Sequence, residues 1–249
     1  MNARLKDKVA LVTGAASGFG QAIAERFAQE GAQVAVADLQ IEKGQAVAGR
    51  IGGMAIRCDV SSSDEVAAAV QAVLQRWGRL DIVVNNAGTT HPNKPAGEVS
   101  EDEFDRLYRV NVKSLFHMNR HVTPVFRQQG GGVFVNVAST TGVRPGPGLC
   151  WYSASKGAVI TASKGLAQEL AKDRIRVCVV NPMIGETPLM ESFMGMPDTP
   201  ENRQKFLARI PLGRFTRPLD VANAAVYLAS DEADFLTGVC LDVDGGRNI

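Results

Sequence analysis

Short runs of β-branched residues recur from the start of the chain to its end, each followed by a helix-like stretch. This alternation limits the possible folds more than any other feature. The runs at 9–13, 34–37, 54–58, 82–84, 133–137, 177–180 and 239–243 read as strands. Strands separated by helices pair in parallel through right-handed crossovers, which predicts a single doubly wound α/β sheet of about seven strands with helices on both faces. Two S-x-x-E sequences, Ser62 to Glu65 and Ser100 to Glu103, mark helix starts. A long helix is predicted over 101–128, with Pro124 expected to kink or end it, and further helices over 152–172 and 218–229. The rhythm breaks once, at 185–218, a segment rich in Met, Pro and Gly. Such an insertion is either a loose surface loop or a cover over a ligand.

Nothing in the composition divides the chain. With 249 residues, 45% hydrophobic and 21% charged, it can bury one large core without a metal or a disulfide, so 1–249 reads as one domain. A net charge of +1, with Lys and Arg scattered, argues against a nucleic-acid surface. No run approaches the length of a membrane span, and the first residues lack the apolar core of a signal peptide. Cys58, Cys150, Cys178 and Cys240 have no metal-ligand spacing, so reduced thiols in a cytoplasmic protein are expected.

The first strand runs into Gly14-Ala-Ala-Ser-Gly18-Phe-Gly20 and then a helix. Gly14 lets the chain turn, Gly18 lets the backbone approach a pyrophosphate, and Gly20 lets the helix pack closely. The free N–H groups of the helix start then face the phosphates. Asp38 closes the second strand, near the distance at which an acid meets the ribose hydroxyls of a dinucleotide. A carboxylate there favours NAD and repels the extra phosphate of NADP, and no Arg or Lys stands at Ala15, Ala16 or Leu39 to offset it. Asp59, after the third strand, offers an acceptor to the adenine amino group, and the small residues Asn86-Ala87-Gly88 after the fourth let a cofactor lie close.

Tyr152 and Lys156 lie four apart on one predicted helix and so point from one face. A free phenol has a pKa near ~10, and a nearby cation favours its ionised form, which predicts a lowered pKa for Tyr152. Ser139 ends the fifth strand, where its hydroxyl reaches a substrate oxygen. Asn111 is a poor helix former inside a helical stretch, which predicts a local break and a bound water.

Together these segments resemble the short-chain dehydrogenase/reductase family: T-G-x-x-x-G-x-G at Thr13 to Gly20, N-A-G at Asn86 to Gly88, Asn111, Ser139, Y-x-x-x-K at Tyr152 to Lys156, and the ending Asp244-Gly245-Gly246. The resemblance spans almost the whole chain. It implies a Rossmann-type NAD-binding domain and hydride transfer between NAD and a secondary alcohol or its ketone. Tyr152 is then the general acid/base, Lys156 lowers its pKa and bonds the nicotinamide ribose, Ser139 polarises the substrate oxygen, and Asn111 holds a water. It also implies a cofactor site that includes Ser17, Phe19, Leu39, Val60 and Ile184, with Thr187 on the nicotinamide carboxamide, and a homotetramer. One departure stands out. After the sixth strand the family usually has Pro-Gly, whereas here Met183 follows Pro182 and the glycine is displaced to Gly185.

His91, Thr141, Cys150, Trp151, Met183, Met190, Phe193 and Met194 are expected around the reacting carbon, an apolar and adaptable set. His91 is either a substrate contact or an exposed loop residue. Cys150 either lines the site or is buried beside it. No anion clamp stands out, and Arg144 and Arg203 are the only candidates. Two other functions fit the same residues: reduction of 3-oxoacyl thioesters, against which Asp38 counts, and a silent NAD-binding sensor, for which Ser139, Tyr152 and Lys156 would be superfluous.

Overall fold

The computed structural model describes residues 3–249. Seven strands, β1 (Val9–Thr13), β2 (Gln33–Asp38), β3 (Met54–Arg57), β4 (Ile82–Asn85), β5 (Gly132–Val137), β6 (Ile175–Pro182) and β7 (Cys240–Val243), form one parallel sheet in the order β3-β2-β1-β4-β5-β6-β7. The doubly wound expectation is met. The strand order reverses between β1 and β4, and that switch point opens a crevice at the carboxyl ends of the strands.

Both faces of the sheet are covered. Val12, Val36, Val84, Val135 and Val180 point into one core layer, under α1 (Gly18–Gln29) and α9 (Pro218–Ala229). The alternate residues Leu11, Ala35, Val83, Phe134 and Val177 point into the other, under α3 (Ser63–Trp77), α5 (Ser114–Gln129) and α6 (Cys150–Leu170). A strand buried on both sides favours apolar residues, which is why β1 is hydrophobic from Val9 to Val12, and its one polar residue, Thr13, donates its hydroxyl to the Val84 carbonyl. The remaining helices are α2 (Ile41–Ile51), α4 (Glu101–Tyr108), α7 (Met190–Met194) and α8 (Pro200–Leu207).

The helix expected over 101–128 is found as one continuous helical run, α4 passing into α5 through a π-turn at Arg109–Lys113, and Pro124 does not end it. Pro124 lies on the exposed side of α5, so the carbonyl that loses its N–H partner is on the solvent side of the helix, where that loss costs least. Ser100 and Glu103 form the complete capping box, whereas Ser62 accepts from the Glu65 N–H without the return bond. Glu65 instead accepts from the Asp59 N–H and pairs with Arg57.

The segment 185–218 is folded and has a small core of its own. Thr199 accepts from the Asn202 N–H and Pro200 opens α8, an ordinary helix start. Met190, Met194, Ile210 and Phe215 bury one another there. The methionines are thus chiefly packing residues of this subdomain-sized layer.

Candidate active site

Gly14 takes φ +63°, which L side chains rarely adopt, and a Cβ there would sit 2.8 Å from Ala87 Cα. At Gly20 a Cβ would overlap the Gly14 carbonyl oxygen, so this glycine serves the turn itself more than the helix-to-sheet contact. Gly20→Ala should therefore lower stability by about 1–3 kcal/mol and weaken cofactor binding, measured by thermal unfolding with and without NADH. Asn86 holds the turn from the side: its Nδ2 donates to the carbonyls of Thr13 (2.9 Å) and Gly14 (3.1 Å). Ser17 caps α1 without a side-chain bond, so the first amides of the helix face the crevice uncapped.

One cleft of about 1310 Å³ runs from this turn past the ends of β4 and β5. It brings together Gly14, Ser17, Gly18, Phe19, Asp38, Leu39, Asp59, Val60, Asn86, Ala87, Gly88, Ser139, Tyr152, Lys156, Ile184 and Thr187, nearly the whole set expected from the sequence. Gly20 and Asn111 lie behind its wall. The Asp38 carboxylate accepts from the Ala16 N–H and the Gln40 N–H, both at 2.9 Å, which fixes its orientation toward the cleft. No cation lines this end. Asp59 spends one oxygen on the Ser61 N–H and hydroxyl and keeps the other. An uncapped glycine-rich helix start beside a fixed, uncompensated carboxylate fits the pyrophosphate and free ribose of a nicotinamide dinucleotide.

Tyr152 and Lys156 sit one turn apart on α6, both buried, with the Lys156 ammonium 5.9 Å from the centre of the phenol ring. Lys156 Nζ donates to the Val137 carbonyl at 2.9 Å. The lowered phenol pKa expected from the sequence is not found: burial pushes Tyr152 up to about 12, and the Ser139 hydroxyl opposes this only in part. Burial also brings Lys156 down to about 8, which weakens the cation that was to stabilise the phenolate.

Asn111 occupies the π-turn, so the expected local break is present. Its amide is already engaged, however: Oδ1 accepts from the Thr89 N–H, and Nδ2 donates to the Thr89 carbonyl and to Ser155 Oγ. Both donors being used, the side chain itself has little left for a water. A cavity of about 10 Å³ between Asn111, Ser114, Val137 and Lys156 is just large enough for one.

Among residues expected at the substrate, Thr141, Cys150, Met183, Phe193 and Met194 line the cleft. His91 does not: it is buried, with Nδ1 on the Pro92 carbonyl at 2.7 Å. Trp151 turns outward and donates to the Ala96 carbonyl, and Met190 is taken up by the core around α7. Asn93, which the sequence did not mark, latches the mouth. Its N–H donates to Ser192 O and its Nδ2 to Phe193 O, while the Lys94 N–H reaches Gly148 O, all at 3.0 Å. The displaced Gly185 also has a physical reason, since a Cβ there would overlap the ring of Phe19.

Residues 14–248 match the family profile described as enoyl-(acyl carrier protein) reductase, of the short-chain alcohol dehydrogenase type. The chain is a member of the short-chain dehydrogenase/reductase family. The relatives are named dehydrogenases and reductases acting on CH–OH groups, and this chain is an oxidoreductase of that kind. It is 63% identical to the 4-formylbenzenesulfonate dehydrogenase of Comamonas testosteroni, over 98% of this chain and 99% of that protein. The crystal structure of a 3-ketoacyl-(acyl-carrier-protein) reductase from Brucella melitensis complexed with NADH is similar at TM-score 0.93 and 46% identity, covering 98% of this chain and 100% of that one. A 7α-hydroxysteroid dehydrogenase complexed with NADH and 7-oxo glycochenodeoxycholic acid is similar at TM-score 0.91 and 36% identity, covering 98% and 96%. As in those family members, a nicotinamide dinucleotide is the cofactor. Among the described residues no helix is long and apolar enough to cross a membrane, and no group of three or more His, Cys, Asp or Glu is placed to hold a metal ion. All four cysteines are unpaired.

Proposed function

We propose that this oxidoreductase transfers hydride between NAD and a secondary alcohol or its carbonyl form, with Tyr152 as the acid/base. The observation that carries the proposal is the burial of Tyr152 and Lys156 together beside Ser139, in a cleft whose other end is closed by Asp38. Gly14 to Gly20, Asp38, Leu39, Asp59, Val60, Asn86 to Gly88, Ile184 and Thr187 would hold the cofactor, which supplies the hydride acceptor or donor when bound. The Ser139 hydroxyl donates to the substrate oxygen and holds it at Tyr152 Oη, which takes the alcohol proton in oxidation and returns it in reduction. Lys156 is anchored by the Val137 carbonyl, which keeps its amino group beside the phenol ring. The segment 185–218, latched by Asn93, covers the substrate and keeps water out. The likeness to the 4-formylbenzenesulfonate dehydrogenase supports an aromatic carbonyl as substrate. An aldehyde enters the same chemistry as its hydrate, whose C–H and O–H leave as hydride and proton to give the acid. Purified protein with NAD and a panel of alcohols and aromatic aldehydes, followed at the NADH absorbance band, tests the assignment.

The pKa shifts set the pH profile. Tyr152 and Lys156 are buried together, so the first proton lost belongs to the pair. It is held least tightly at Lys156, near about 8, and its loss from either atom leaves the pair able to accept the alcohol proton. Below that pH the pair is fully protonated and has no base. The kcat/KM for oxidation should therefore rise tenfold per pH unit on the acid side and level off above about 8. A flat profile between pH 6 and 9 contradicts the pair's role.

A second function, reduction of 3-oxoacyl thioesters, is supported by the 46% identity to the ketoacyl reductase. Acetoacetyl thioester with NADH and with NADPH separates it from the first. We also infer a cytoplasmic homotetramer of roughly four times 26.6 kDa. Phe116 on α5 and Leu219 and Tyr227 on α9 expose apolar area that subunit contacts would cover. Light scattering that finds a monomer at micromolar concentration overturns this.

A further inference from the structure

The cleft changes its charge from one end to the other. Its only carboxylates among the described residues are Asp38 and Asp59, both at the glycine-turn end. Beyond Tyr152 the lining carries Arg144, Arg209 and Arg247 and no acid. Among the described residues none of these three makes an ion pair with a carboxylate side chain, whereas Arg203, the other arginine marked in the sequence, is spent on Asp198 and Glu186 and does not reach the lining. Lys94 and Arg106 also line the cleft; Lys94 pairs with Glu103, and Arg106, on α4 and away from the other three in the chain, has no carboxylate partner but donates to the Thr90 carbonyl. Asp244, close by in sequence, commits its two oxygens to the N–H groups of Gly246 and Asn248.

The three arginines come from separate segments that the fold ties into one wall. Arg144 follows the turn after Ser139, and its Nη1 donates to the Arg247 carbonyl and to a main-chain oxygen of Ile249, the last residue, both at 3.2 Å. Arg209 follows α8, and the Leu212 N–H donates to the Gly245 carbonyl at 3.0 Å, which fastens that segment to the same tail. The lining also carries the apolar Met183, Phe193, Met194 and Phe206, with the Phe193 ring against Tyr152. The Arg209 and Arg247 guanidinium groups have no side-chain partner among the described residues, so they raise the potential of the cleft and present planar pairs of donors suited to an oxyanion.

We propose that Arg144, Arg209 and Arg247 form a subsite for an oxyanion, sulfonate or carboxylate, carried by the substrate across an apolar body from the reacting carbon. The proposal deepens the hydride-transfer assignment and rests on it for the location of that carbon. It makes these arginines specificity-determining residues: they select charged substrates and orient the apolar body toward Tyr152.

The test separates binding from chemistry. Calorimetry of the full chain with NADH present compares p-toluenesulfonate with methyl p-tolyl sulfone, which has nearly the same shape and no charge. The sulfonate should bind at least tenfold tighter at low salt, with the gap narrowing as sodium chloride is added. Arg209→Gln and Arg247→Gln should each close the gap several-fold, and Arg76→Gln, on exposed α3 surface, should leave it intact. Arg144→Gln also frees the tail, so the other two variants decide. p-Toluate in place of the sulfonate shows whether a planar carboxylate is held as well. Equal binding of sulfonate and sulfone, an undiminished gap in Arg209→Gln and Arg247→Gln, or no sulfonate binding overturns the subsite. In parallel, NAD-dependent turnover of 4-formylbenzenesulfonate is compared with that of 4-(methylsulfonyl)benzaldehyde. A charge-dependent binding gap with no turnover of any carbonyl or alcohol defeats the hydride-transfer assignment and leaves the subsite standing. Equal binding and equal turnover do the reverse.

Discussion

Replacing Tyr152 by Phe should lower kcat by a factor of about 10²–10⁴, and leave NADH affinity close to that of the unaltered protein. The ring would still pack against Phe193, 5.0 Å away edge to face, and beside Leu107 and Leu149, so only the hydroxyl is lost. Lys156→Ala should behave differently. It removes a buried group bonded to the Val137 carbonyl and leaves that carbonyl unpaired, so cofactor affinity and turnover should fall together. The contrast distinguishes a proton-transferring residue from one that also positions the cofactor. A Tyr152→Phe protein that keeps more than about a tenth of kcat, a loss below ~1.4 kcal/mol, removes Tyr152 from the role. Cys150, exposed and on the same lining, would then be the next group to replace.

The second large effect concerns the cofactor. We expect kcat/KM with NAD to exceed that with NADP at least tenfold, about 1.4 kcal/mol, because in the proposed cofactor site the Asp38 carboxylate would meet the extra phosphate. Two backbone N–H groups hold that carboxylate in position, so it cannot swing aside at little cost. Leu39 lines the same end and is 55% exposed, so an arginine there has room to reach a phosphate. Asp38→Ser combined with Leu39→Arg should therefore relax or reverse the preference. Equal efficiency with both cofactors in the unaltered protein sinks the argument.

What the sequence discloses, and what it hides, follows from how local each cause is. Strand β1, the glycine turn and the Tyr152–Lys156 spacing are set by residues within a few positions of one another, and all are where the pattern puts them. The π-turn at Asn111 is only half legible: a misplaced asparagine signals a break, but its partners Thr89 and Ser155 come from other elements. His91 lies three residues after Gly88 and reads as exposed or as part of the site, yet the fold buries it. The raised pKa of Tyr152 is equally non-local, because burial by the assembled cleft outweighs the lysine one turn away. The arginine wall is the extreme case. Arg144, Arg209 and Arg247 lie on three distant segments, and only the tertiary contacts of the tail unite them.

The contact between Phe19 and Gly185 bears on how this protein can be altered. A side chain at 185 would take the space the ring of Phe19 already fills, so the two positions behave as one unit with a fixed combined volume. Placing a bulkier residue at 185 without trimming 19 strains the turn that faces the cofactor, and trimming 19 alone opens a void behind it. A library that randomises the two sites independently would consist mostly of failures. One that pairs a larger residue at 185 with a smaller one at 19 keeps the volume constant, and gives a route to reshaping the junction between dinucleotide and substrate cover.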